Sequence, residues 1–102
     1  MVRQATSQEK RLEALGRANA VRIARAELKR ELAAGSNEID KVIADPPRFA
    51  ERARVSDLLL SVPGLGPVRM TRLLERCQIP YGKTLTSLSE RQRTALIALL
   101  RS

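Results

Sequence analysis

A stretch of 28 residues without proline, from Ser7 to Ala34, constrains the fold of this chain more than any other feature. It is rich in Ala, Leu, Arg, Lys and Glu, which all favour helix, and Gly35 follows it. Thr6 and Glu9 have the spacing of a capping box at its start. We therefore predict a helix over residues 7–34, about 42 Å long at a rise of 1.5 Å per residue.

Only the second half of this predicted helix carries a clear apolar side. At about 100° per residue, Val21, Leu28 and Leu32 share one sector, so we expect the first half to project from the body of the protein. A basic face runs beside this sector and opposite the glutamates, and its members are Arg11, Arg22, Arg25 and Lys29. The segregation favours a face that binds phosphates, and the alternative is a solvated face with some i,i+4 ion pairs.

The composition limits the classes of function. The 102 residues are enough for a single domain, 1–102. The 19 basic and 11 acidic residues give a net charge of +8, which favours an anionic partner. The chain has no histidine and one cysteine, Cys77, so we expect no enzyme, no metal, no cofactor and no small-molecule substrate. Cys77 is expected to be a small core residue.

Aromatic residues and long apolar runs are both scarce. Phe49 and Tyr81 are the only aromatics, too few for a platform on which single-stranded bases stack. No apolar run approaches the roughly 20 residues that a membrane span needs, and residues 1–5 have no apolar targeting core. We expect a soluble, cytoplasmic protein with no membrane partner.

Proline and glycine divide the rest of the chain into short helices. Residues 36–38 favour the start of a helix that is ended by Asp45-Pro46-Pro47, and residues 48–54 are ambiguous. We expect Phe49 to fill part of the core. Ser56 is a suitable N-cap for a helix over 57–61, and a capping box from Ser89 to Gln92 favours a last helix. Ile39, Val42 and Ile43 lie in the first of these helices, and the apolar residues expected to be buried in the others are Leu58, Leu59, Leu96, Leu99 and Leu100.

A tight turn, Pro63-Gly64-Leu65-Gly66-Pro67, separates two of these helices. We expect the glycines to let the chain reverse where side chains would clash, Leu65 to enter the core, and Pro67 to start the next helix. Unpaired amides at that helix start would form a cradle for phosphate. Arg69, Arg72 and Arg76 recur at i, i+3 and i+7 on one face, which favours DNA contact, and a plain turn followed by solvated arginines is the alternative. The buried side is expected among Val68, Met70, Leu73 and Leu74.

These features together resemble the actinobacterial integration host factors. The resemblance covers nearly the whole chain and rests on the long basic helix, the helix start at residues 55–59, the glycine turn and the helix with Arg91-Gln92. It implies an all-α fold in which helix 7–34 packs on a helix-two-turn-helix core, 55–102, like that of a small-subunit ribosomal protein. It also implies a nucleoid-associated, architectural protein that binds double-stranded DNA with low sequence specificity, bends or compacts it, and assists phage integration.

The resemblance also assigns individual residues. The family's turn, Pro-Gly-Val-Gly-Lys-Val-Arg, is kept here except that Leu65 replaces its valine and Pro67 its lysine. The family's Arg-Arg-x-Arg-Gly-Leu-Gly run becomes residues 83–89, which keep one of its three charges, at Lys83. With the basic face of the first helix, the expected DNA-binding residues are Gly64, Leu65, Gly66, Pro67, Val68, Arg69, Arg72, Lys83, Thr84, Arg11, Arg22, Arg25 and Lys29.

Two other functions fit the sequence. The same core suits an RNA-binding or ribosome-associated module, and the projecting helix suits a scaffold that recruits an integrase or another protein. A coiled-coil dimer is disfavoured because Gly16 and Asn19 interrupt the candidate apolar seams. We expect a monomer in solution.

Overall fold

The order of helices follows the pattern of proline and glycine. The computed structural model describes residues 7–102, and across them lie five α-helices and one short 3₁₀ turn but no extended strand. The bounds are α1 (Ser7–Ala34), α2 (Ile39–Ala44), the 3₁₀ turn (Arg48–Ala50), α3 (Val55–Leu60), α4 (Pro67–Arg76) and α5 (Glu90–Arg101). The predicted all-α class is confirmed.

Helix α1 is buried only in its second half. Leu28 and Leu32 are 2 % exposed and Val21 is half-buried, whereas residues 8–20 are all exposed. The structure measures 61 × 28 × 21 Å, so the predicted projection of the first half is confirmed. The helix ends at Gly35, whose φ of +77° is a conformation that glycine adopts readily. The predicted cap at Thr6 lies outside the described residues.

The remaining helices surround a small aliphatic core. Its members with 0 % exposure come from α2, the 3₁₀ turn, α3, the loop before α5 and α5, namely Ile43, Ala50, Leu58, Leu59, Leu85 and Leu96. Burial of Leu96 was predicted correctly. Leu99 and Leu100 are only half-buried and pack against the edge of the core.

An ion pair joins α2 to α5 at the surface. Arg101 Nε donates to Asp40 Oδ2 at 2.8 Å. This hydrogen bond from the Arg101 side chain, with the charge of the guanidinium, lowers the pKa of the Asp40 carboxyl. Arg93 joins the same helix α5 to the rest of the core, because its guanidinium donates to the carbonyl oxygens of Ile43 and Leu85.

Helix α3 starts earlier than predicted and without a cap from Ser56. Ser56 is buried inside the helix, and its hydroxyl donates to the carbonyl of Tyr81. Arg54 precedes the helix in an extended conformation and forms an antiparallel bridge with Thr84. The amide of Val55, the first residue of α3, donates to Lys83 O at 3.0 Å. The loop between α4 and α5 therefore supplies the acceptor that a side-chain cap would otherwise supply.

The predicted capping box of α5 is confirmed. Ser89 Oγ accepts from the amide of Gln92 at 3.1 Å, and Gln92 Oε1 accepts from the amide of Ser89 at 3.0 Å. Gln92 Nε2 also donates to Gln78 O at 2.8 Å. The start of α5 is therefore fixed to the end of α4.

Candidate nucleic-acid interface

A basic groove lies between α1 and the 3₁₀ turn. We call it the α1 groove, and its volume is about 1170 Å³. The described residues lining it include one carboxylate, that of Glu51, and six basic side chains. The basic residues are Arg17, Arg22, Arg25, Lys29, Arg48 and Arg52. This excess of positive charge makes the groove suited to a polyanion.

Arg25 fixes one wall of the groove to the other. Its Nε donates to the carbonyl of Phe49 in the 3₁₀ turn at 2.9 Å. Phe49 is half-buried, packs against the core and also lines the groove, so the prediction that it fills the core holds only in part. A hydrogen bond across the groove explains why cations from two segments of the chain lie together.

The predicted basic face of α1 contributes most of its residues to this groove. Arg22, Arg25 and Lys29 line it, whereas Arg11 is exposed on the projecting half of α1 and is not among the lining residues. Sequence reasoning missed the other three cations, which are Arg17, Arg48 and Arg52. For Arg48 and Arg52, the available signal was the density of arginine in residues 48–54 after the two prolines.

The chain reverses direction at the glycine turn as predicted, but the reason for glycine there differs from the predicted one. Gly64 has a φ of +79°, and a Cβ added at Gly64 or Gly66 would meet nothing within 4 Å. The expectation that side chains would clash there is wrong, because the requirement at Gly64 is one of backbone conformation. Leu65 is buried at 7 % exposure, and Pro67 is the first residue of α4, as predicted.

The start of α4 presents two backbone amides to solvent. The first intrahelical bond runs from the amide of Met70 to the carbonyl of Gly66 at 2.9 Å. The amides of Val68 and Arg69 precede it and therefore have no acceptor within the helix, and Pro67 has no amide hydrogen to add. Gly66 supplies no side-chain cap. These two amides and the positive end of the helix dipole can hold an anion.

The side chains of α4 divide between core and solvent. Met70 and Leu74 are buried and Leu73 is half-buried, but Val68 is 67 % exposed and was wrongly placed near the buried side. The three arginines predicted on one face of this helix, Arg69, Arg72 and Arg76, are all exposed.

A second basic groove lies between the end of α4 and the start of α5. We call it the α4–α5 groove, and its volume is about 570 Å³. Arg76, Lys83 and Arg91 line it, and none of the described lining residues is a carboxylate. Lys83 was among the predicted site residues, whereas Arg91 was not. The next residue, Thr84, shares a hydrogen bond with the hydroxyl of Ser87 at 2.7 Å.

Cys77 follows the last residue of α4 and lines the α4–α5 groove. It is 6 % exposed, as expected for a core residue, and burial raises the pKa of its thiol. Within residues 7–102 no group of three or more His, Cys, Asp or Glu side chains could hold a metal ion. The helices of the same part of the chain are too short or too polar to span a membrane.

Three comparisons place this geometry among known proteins. The model of the S13-like H2TH domain family matches residues 32–100. The chain is 35% identical over 91 residues to the integration host factors of Mycolicibacterium smegmatis and Mycobacterium tuberculosis, and each match covers 87% of both chains. It is also similar to a solved structure of sIHF bound to an 8-bp palindromic DNA, with a TM-score of 0.75 and 30% identity. That match covers 83% of this chain and 98% of the other.

Proposed function

This chain belongs to the integration host factor family and contains an S13-like H2TH domain, and on that premise we propose that it is a non-enzymatic, architectural protein that binds double-stranded DNA. The observation that carries the proposal is the α1 groove. Six cations and a single carboxylate line it, which is the balance of charge that a phosphate backbone requires.

Low sequence specificity follows from the kind of groups that would contact the DNA. Arginine and lysine side chains that reach phosphates fix the position of a protein on the duplex but do not read its bases. The two free amides at the start of α4 add a contact of the same kind. That the similar structure of sIHF holds a palindromic DNA of 8 bp supports duplex DNA as the polyanion.

The turn and its surroundings are proposed as a second DNA contact. Its proposed members are the turn residues, Arg69 and Arg72 of α4, and two residues of the loop between α4 and α5. By residue they are Gly64, Leu65, Gly66, Pro67, Val68, Arg69, Arg72, Lys83 and Thr84. In the α1 groove we propose Arg22, Arg25 and Lys29, with Arg11 extending the contact along the projecting half of the helix.

Contacts at more than one surface also support bending. Bending a site of 20–30 bp costs on the order of 1 to 6 kcal/mol, and contacts from both surfaces to one duplex would offset this. We also propose that the protein acts in the cytoplasm, on the nucleoid, as a monomer that deforms DNA. Assistance to phage integration stays a prediction from the family.

The test is an electrophoretic shift of duplex DNA at a series of salt concentrations. If 4 to 8 phosphates are neutralised, log K should fall with a slope of about −4 to −7 against log of the salt concentration. Competition with structured RNA distinguishes the alternative, because the grooves of A-form and B-form helices differ in width and in the 2′-hydroxyl. The proposal would be overturned if the protein bound no duplex at low salt. It would also be overturned if structured RNA displaced the labelled duplex at a lower concentration than unlabelled duplex DNA does.

A further inference from the structure

The α4–α5 groove gathers three cations that have no partner in the described part of the chain. Arg76, Lys83 and Arg91 line it. None of their side chains forms an ion pair or a hydrogen bond with another residue among 7–102. Like charges along one groove repel each other, so the arrangement is stabilised when an anion lies between them.

The acidic residues next in sequence do not enter this groove. Glu75 precedes Arg76 in α4 and Glu90 precedes Arg91 in α5, yet neither lines the groove. Side chains one position apart on a helix do not face each other. Besides the cations, the described lining holds the amides of two glutamines, a serine hydroxyl, the Cys77 thiol and an alanine. The groove therefore offers hydrogen-bond donors to an anion and no competing carboxylate.

The backbone that carries these cations is fixed. Gln92 Nε2 donates to Gln78 O at 2.8 Å, which joins the start of α5 to the end of α4. The amide of Lys83 donates to Pro80 O and its carbonyl accepts from Val55 N, each at 3.0 Å. A site whose backbone is already ordered pays less conformational entropy when a ligand binds.

The size of the groove limits what it can hold. Its volume of about 570 Å³ lies in the range of small-ligand sites, roughly 300–1,000 Å³. Arginine and lysine together favour phosphate as the anion, because guanidinium groups form paired hydrogen bonds to its oxygens and ammonium adds charge. We propose that the α4–α5 groove is a phosphate-binding site, in which Arg76, Lys83 and Arg91 hold one phosphate group or two adjacent ones.

The phosphate can belong to DNA or to a free ligand such as a pyrophosphate. Arg76 lies seven residues after Arg69, which places it on the same face of α4 and about 10 Å further along the helix axis. A duplex strand that contacts Arg69 and Arg72 can therefore continue to this groove. For a DNA phosphate the inference rests on the proposed function and adds Arg76 and Arg91 to the contact, whereas a free ligand would bind without DNA.

The first arm of the test measures duplex binding. It compares Arg76→Gln with Arg91→Gln, as a double variant, with the control Arg30→Gln with Lys41→Gln. The two control cations are exposed, pair with glutamates and line neither groove, so both variants lose two charges. If the groove holds a DNA phosphate, fluorescence anisotropy on a 20-bp duplex should show a salt slope reduced by about 1.8 in the groove variant. For variants that converge at 1 M salt, this is about 30-fold weaker binding at 0.15 M salt.

The second arm measures the free ligand at the level of single residues. Sodium pyrophosphate is titrated into the protein without DNA, and ¹H–¹⁵N NMR spectra follow the amides of Lys83 and Ser89 for this groove and of Arg25 and Lys29 for the α1 groove. A free phosphate ligand should shift the first pair, and its affinity there should fall at least about 10-fold in the groove variant but not in the control. Circular dichroism with thermal unfolding checks that both variants are folded.

The two arms together identify the source of the phosphate. A reduced slope without pyrophosphate shifts at Lys83 and Ser89 assigns the site to DNA, and such shifts with an unchanged slope assign it to a free ligand. If the groove variant matches the control in both arms, the site is overturned while duplex binding through the α1 groove stands. If the unchanged protein binds no duplex at low salt, the proposed function fails, and the pyrophosphate titration alone decides the fate of this site.

Discussion

Removing three cations from the α1 groove should flatten the salt dependence of DNA binding. The change is Arg22→Gln, Lys29→Gln and Arg52→Gln together, which leaves Arg25 in place because its Nε holds the carbonyl of Phe49. Each neutralised phosphate contributes about 0.9 to the slope, so the three changes should reduce it by about 2.7. If the variants converge at 1 M salt, the same relation makes binding about 170-fold weaker at 0.15 M salt.

The matched control removes three cations that already have partners. Arg30, Lys41 and Arg101 each form an ion pair with a carboxylate, and none lines either groove. Changing these three to glutamine also lowers the formal net charge from +8 to +5. Titrations by fluorescence anisotropy with a 20-bp duplex, over roughly 50 to 200 mM salt, give both slopes, because a protein with about 6 to 10 phosphate contacts loses about 10³–10⁵ in affinity over that range. Equal losses in the two variants would mean that binding follows net charge, and the role of the groove would be refuted.

Three further predictions concern the core that positions these surfaces. Arg93→Met should lower the free energy of unfolding by urea by about 1–3 kcal/mol, because the carbonyls of Ile43 and Leu85 each lose the guanidinium as a donor and Leu85 O keeps only the amide of Leu88; an equal effect of Arg91→Met, at an exposed site, would contradict this. Asp40→Asn should reduce stability at neutral pH by at most about 1 kcal/mol. The hydrogen bond from Arg101 lowers the pKa of Asp40 in the folded protein. The loss of stability in Asp40→Asn should therefore vanish as the pH falls through about 4 and below. A loss that does not depend on pH would contradict a role for the ion pair. Gly64→Ala should cost about 1 kcal/mol in the same urea experiment, because φ at this position is +79°, and an unchanged midpoint would show that the turn relaxes.

The features that sequence reasoning predicted correctly depend on residues close in the chain. Helix propensity, the absence of proline and the glycine that follows predicted α1 over 28 residues. The capping box of α5 joins residues three apart, Ser89 and Gln92. Pro67 at the first position of α4 follows from the fixed φ of proline. Each of these signals acts within one or two helical turns, so no knowledge of the tertiary fold was needed.

The features that it missed depend on contacts between distant segments. The start of α3 was misplaced because the pairing of Arg54 with Thr84 joins positions 30 apart in the sequence, and no local pattern encodes such a bridge. Likewise, Arg48 and Arg52 enter the α1 groove only because the chain returns to α1 after Pro46-Pro47. The sequence shows that these arginines are present but not which helix they will face.

The two proposed DNA-binding surfaces differ in their number of cations, which predicts different contributions to the binding free energy. Pro67 takes the place of a lysine in the family's turn, so the start of α4 offers two amides and the exposed Arg69 and Arg72. The α1 groove holds six cations. Because affinity for duplex DNA scales with the number of phosphates neutralised, we expect most of the binding free energy to come from the α1 groove. Backbone amides are held in place by the helix itself, and phosphate contacts of this kind fix register and orientation without reading bases. The turn should therefore help to orient the duplex on the H2TH domain, while the α1 groove contributes most of the affinity.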